Sequence, residues 1–130
     1  MPAADDTTAA PPATSQRDAV APYVTRDGST IRELMHPAVQ GNRAQSLAEA
    51  IVPPGGHTHL HRHAQTEEIY HFLRGRGQMR LGGRSFAVAA GDTVCILPGT
   101  PHALLNDGIE DLVLLCACSP AYAHDDTELL

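Results

Sequence analysis

Apolar and polar residues alternate along most of this chain in short runs, and glycine, proline or asparagine breaks each run. Residues 30–36 form the first run, which Pro37 ends. Residues 37–43, with Gly41 and Asn42, read as a loop. Residues 44–52 mix the helix-forming AQSLAEA with the strand-forming AIV, and their place between turn signals predicts a strand. Further strands are predicted over 57–63, 67–74, 78–81, 84–88, 93–97, 102–105 and 112–117. Gly82-Gly83 is a two-residue hairpin signal, and Gly91-Asp92 and Pro98-Gly99-Thr100-Pro101 are turns. Eight or nine short strands at intervals of about ten residues predict an all-β sandwich or barrel.

Two runs are apolar on both faces. In 67–74, Glu68, Tyr70 and Phe72 share one face, and Ile69, His71 and Leu73 share the other. Residues 112–115 are Leu-Val-Leu-Leu. Such strands are covered on both sides. The ends differ from this pattern. Residues 1–22 are mostly Ala, Pro, Thr and Asp and read as a disordered tail, leaving 23–130 as one domain. Residues 120–130 are polar until the last two.

Composition narrows the function. The net charge of −6 argues against nucleic acid or an anionic membrane as partner. No run of apolar residues is long enough to span a bilayer, and the N-terminus lacks a basic start and an apolar stretch. All nine basic residues are arginine, so no lysine is present for Schiff-base chemistry. Neither a Walker-type phosphate loop nor a GxSxG elbow is present. Cys95, Cys116 and Cys118 read as small buried hydrophobes in a reducing compartment, and a cytoplasmic location is expected.

Five of the eight histidines fall between 57 and 71, at 57, 59, 61, 63 and 71. If 57–63 is a strand, the first four point the same way. Glu67 and Glu68 follow. Imidazoles crowded on one face and closed by a carboxylate are a ligand set for a divalent metal. An exposed His-rich loop that binds metal adventitiously is the competing reading.

The spacing resembles that of the cupins, small double-stranded β-helix (jelly-roll) proteins. Gly55, His61, His63, Glu68 and Gly75 meet every position of the first cupin motif. Gly91, Gly99, His102 and Asn106 match the second, and Leu97 departs from it where a proline is usual, next to Pro98 and away from any ligand. The resemblance covers about residues 45–118. It implies a barrel holding one divalent transition metal (Fe, Mn, Ni, Co or Zn) on His61, His63, Glu68 and His102. Three imidazoles and one carboxylate leave two positions of an octahedral ion open for a substrate oxygen or O₂.

Around that set, His59 is a candidate ligand, acid–base group or rim residue, and Tyr70 is a candidate for core packing or for hydrogen bonding to substrate. Arg80 would hold a carboxylate substrate if its strand face is inward. His57, Glu67, His36, His71 and His124 read as surface or structural residues. Two functions are expected: a metal-dependent enzyme on a small polar organic substrate (a dioxygenase, or a redox-neutral isomerase or decarboxylase), or a non-catalytic cupin that binds or senses a small ligand. The outward apolar faces of 69–73 and 112–115 predict a homodimer, and back-to-back pairing is common in proteins resembling cupins.

Overall fold

The computed structural model describes residues 12–130, which form eleven strands in two antiparallel sheets. One sheet has the order β1 (Tyr23–Val24), β2 (Thr30–Met35), β3 (Ser46–Val52), β10 (Leu112–Ser119), β5 (Glu67–Arg74), β8 (Thr93–Ile96). The other has β11 (Thr127–Leu129), β4 (His61–His63), β9 (His102–Leu105), β6 (Arg76–Leu81), β7 (Arg84–Ala89). The expected jelly roll is therefore present, with more strands than the pattern predicted. Both β1 and β11 are two or three residues long, too short to show a period. The expected 37–43 loop also contains a short helix, α1 (Pro37–Gln40). Pro37 starts it, the His36 side chain caps it, and Gly41 ends it at φ 78°.

The inward residues are graded along three neighbouring strands. β10 pairs Cys118 with Ser46 of β3 and with Glu68 of β5 at one end. At the other end Leu112 faces Val52, and Leu114 faces Phe72. The barrel is thus filled with large apolar side chains at one end, where Phe72, Met79 and Leu112 are fully buried. Each such side chain contributes roughly 2 kcal/mol by leaving water. Toward the other end the inward positions of β3 shrink to Ala50, Ala48 and Ser46, and polar residues take over. β6 points Gly77 and Met79 inward, so Arg80 and Gln78 are exposed.

Residues 1–11 of the expected tail lie outside the described residues. Residues 12–22 lie against the outer side of β2 and β3: the Ser15 hydroxyl donates to the Leu34 carbonyl, and Arg17 pairs with Glu49 at 2.8 Å. Beyond them Ile69 and Leu73 stay exposed on the outer face of β5. Of the three cysteines only Cys116 and Cys118 are buried; Cys95 faces outward from β8 and is exposed. No helix among the described residues is long and apolar enough to cross a membrane.

Asn106 ties the loops at the apolar end together. It is fully buried, donates to the Val52 and Glu110 carbonyls at 2.8 Å each, and accepts from the Gly108 N–H at 2.9 Å. Its own backbone exchanges hydrogen bonds with Gly55 and Gly56. Asn106→Ala leaves buried carbonyls without a donor and is expected to lower stability by about 3 kcal/mol in urea unfolding. A change within ±0.5 kcal/mol would show that these bonds are replaceable.

Candidate metal centre

β4 and β9 are neighbours, and His61 stands directly opposite His102. Two residues on, His63 points to the same side. The three imidazoles are buried, and their ligand atoms lie within 4.8 Å of one another. Glu68 reaches them from β5 in the opposite sheet, so the cluster bridges the two layers.

The outer nitrogen of each ring is tied down. His61 Nδ1 donates to the His59 carbonyl at 2.7 Å, and His102 Nδ1 donates to the Thr100 carbonyl at 2.9 Å. A carbonyl only accepts, so these nitrogens carry the proton. His63 Nδ1 lies 3.0 Å from Thr127 Oγ1, whose hydroxyl already donates to the Ala123 carbonyl. It too must donate. In their neutral form all three rings therefore turn a bare Nε2 toward the interior, the form in which imidazole binds metal.

Opposite these lone pairs stand carboxylate oxygens. Glu68 Oε1 lies 3.2 Å from His63 Nε2 and 3.5 Å from His102 Nε2. Neither contact has hydrogen-bond alignment: Glu68 Oε1 and His102 Nε2 are buried without a hydrogen-bond partner. Facing acceptors repel, and a buried carboxylate needs a counter-charge. A cation among them satisfies both sides, and imidazole nitrogen with carboxylate oxygen suits a divalent transition metal. Burial alone pushes the Glu68 carboxyl up; it is held down, at about 2, only where donors or positive charge stand on the His102 and His63 side, the place a cation would take. The other Glu68 oxygen accepts a hydrogen bond from the Cys118 thiol at 3.2 Å.

The alternation that would align four histidines breaks in the middle. Only residues 61–63 form a strand; His57 makes an isolated bridge to Leu105. The Thr58 side chain is buried and accepts from the Leu104 N–H at 2.9 Å, in place of a ladder bond. His59 N–H bonds to the Asp27 carbonyl at 2.7 Å. Two residues then separate the buried Thr58 from the buried His61, so the alternation changes phase, as at a bulge. His57 and His59 therefore face outward beside each other, ring centroids 5.8 Å apart, and His59 does not join the cluster.

Tyr70 is inward and buried, with its ring 5.9 Å from that of His102. Burial, with Glu68 nearby, pushes its phenol well above the usual range, so it stays neutral. Burial likewise pushes the Cys116 and Cys118 thiols up. His36, His71 and His124 lie away from the centre and bond Tyr122 O, Thr93 Oγ1 and Tyr122 Oη.

The cluster forms one end of a pocket. Ile31, Val52, Leu104 and Leu114 form an apolar wall. Asp27, Glu33 and Glu68 bring three carboxyl groups, and no arginine among the described residues lines the pocket. Asp27 drew no notice in the sequence. It sits in TRDGS, an ordinary turn signal, yet Thr25, Asp27, Ser29 and Ile31 alternate inward.

Residues 48–118 match the cupin-domain family Cupin_2. The chain is 51% identical over 116 residues to an uncharacterised protein of Methanocaldococcus jannaschii, covering 89% of this chain and 93% of that one. Among solved structures it is similar to a predicted oxalate decarboxylase of Thermotoga maritima, at 25% identity and TM-score 0.72, over 82% of this chain and 97% of that one. It is also similar to the polyketide cyclase RemF of Streptomyces resistomycificus, at 25% identity and TM-score 0.71, over 80% and 76% of the two chains. The two motifs, the jelly roll, the inward histidines and the family match agree, and the chain belongs to the cupin family.

Proposed function

We propose that this cupin is a metal-dependent enzyme in which His61, His63, Glu68 and His102 hold one divalent transition metal and a small organic substrate binds beside it in the barrel. The observation that carries this reading is the set of buried, unpartnered acceptors, the bare His102 Nε2 against Glu68 Oε1. When bound, the ion supplies Lewis acidity, polarising a substrate oxygen. The chain's own residues do the rest. The Nδ1 bonds of the three histidines hold the rings in one tautomer. The apolar wall holds the carbon body of the substrate and excludes water. The neutral Tyr70 phenol donates a hydrogen bond toward an oxygen of the substrate.

The lining favours an uncharged substrate. A dicarboxylate or a phosphorylated sugar normally meets arginine or lysine, and this pocket offers carboxyl groups instead. A keto, enol or phenol oxygen on an otherwise apolar molecule suits both the wall and the centre. Decarboxylation and cyclisation, the activities named for the two structural relatives, reshape carbon skeletons without net oxidation, which favours redox-neutral chemistry. The outer face of β5, with Ile69 and Leu73 exposed and His71 between them, we assign to a homodimer contact.

Purified protein is expected to carry about one divalent ion per chain. Changing His61 and His63 together to alanine is expected to abolish binding in metal analysis; stoichiometric metal in that double variant would refute the assignment. With Co(II) in the site, uncharged β-diketones and phenolic ketones are expected to perturb the visible absorption or be consumed. Oxalate, malonate and sugar phosphates are expected to do neither, and the reverse pattern would overturn the substrate class. Light scattering at micromolar concentration is expected to give twice the chain mass of 13.8 kDa, and the monomer mass would rule out the dimer.

A further inference from the structure

Asp27 lies in the turn between β1 and β2, ahead of the residues that match the cupin family. One of its oxygens is fully engaged. Oδ1 accepts from Thr25 Oγ1 at 2.6 Å, Ser29 Oγ at 2.7 Å and the Ser29 N–H at 2.9 Å. The turn that brings these donors together is closed by Thr25 and Gly28 N–H bonds, and Gly28 takes φ +89°. Oδ2 receives no hydrogen bond from the described residues. It faces His61 Nε2 at 3.3 Å across the pocket.

His61 donates through Nδ1, so its Nε2 presents a lone pair to Oδ2. Two acceptors again face each other, as Glu68 Oε1 faces His63 and His102. The distances are alike, 3.3 Å against 3.2 and 3.5 Å. Donors about 2.1 Å from one ion and at right angles stand about 3 Å apart. A turn alone would need only Oδ1, a role that asparagine fills equally well. The second oxygen, aimed at a bare imidazole nitrogen, is what a turn does not explain.

We infer that Asp27 is a fifth protein donor of the metal centre, binding through Oδ2; this rests on the reading that His61, His63, Glu68 and His102 hold a divalent ion. Three imidazoles and two carboxylates balance the charge of the ion. They leave one position of an octahedral set open, so the substrate binds through a single oxygen.

Asp27→Asn separates the two oxygens. The amide oxygen keeps the three turn bonds, and the NH₂ donates to His61 Nε2 and blocks it. Titration of the metal-free protein with Co(II) is expected to show at least tenfold weaker binding in D27N, with an altered visible ligand-field band. The melting temperature of the metal-free form should not fall, and relief of the facing acceptors should raise it. Wild-type affinity and an unchanged band in D27N would overturn the inference and leave the metal site standing. Failure of the wild type to bind Co(II) would overturn the metal reading itself, and the role of Asp27 with it. If D27N does not fold, Asp27→Ser, whose hydroxyl still accepts from the Ser29 N–H, is read by the same two criteria.

Discussion

Buried acceptors that face one another organise this molecule. Tying each Nδ1 to an oxygen commits the three rings to expose Nε2, and Glu68 commits a negative charge to the same space. Such an arrangement is costly in a low-dielectric interior without a cation. Four neighbouring groups at that end of the barrel bond to the cluster: the Thr100 and His59 carbonyls, the Thr127 hydroxyl and the Cys118 thiol.

The opposite end makes this possible. Phe72, Met79 and Leu112 pack an apolar plug, and Asn106 stitches the loops beneath it. Because β3, β5 and β10 all grade from large apolar to small or polar in the same direction, stability and chemistry are separated along the strand axis. Small residues at Ala48 and Ala50 open the space that larger ones would fill. The core is incomplete by composition, and the gap is the pocket.

Much of this was legible in the residues. The resemblance to the two cupin motifs picks out His61, His63, Glu68 and His102, and strand periodicity and turn glycines are local signals that survive in one dimension. The outward turn of His57 and His59 is harder to read for the same reason. Alternation is a property of an unbroken strand, and the change of phase at residues 59–60 depends on bonds to Leu104 and Asp27, which sit on other parts of the fold. Asp27 itself was invisible because an inward polar alternation in a turn reads like an outward one. The polar tail gave no hint of β11, whose pairing with β4 is set by residues more than sixty positions apart.

That last strand changes where the functional unit begins and ends. The family match closes at residue 118. Yet Thr127 fixes the tautomer of His63, Asp126 holds the turn at Gln65 and Thr66, and Leu130 N–H reaches the Leu60 carbonyl. A domain boundary drawn at the edge of the family match would keep every candidate ligand of the motif and discard the group that orients one of them. Excising or grafting this barrel thus requires its tail as much as its signature.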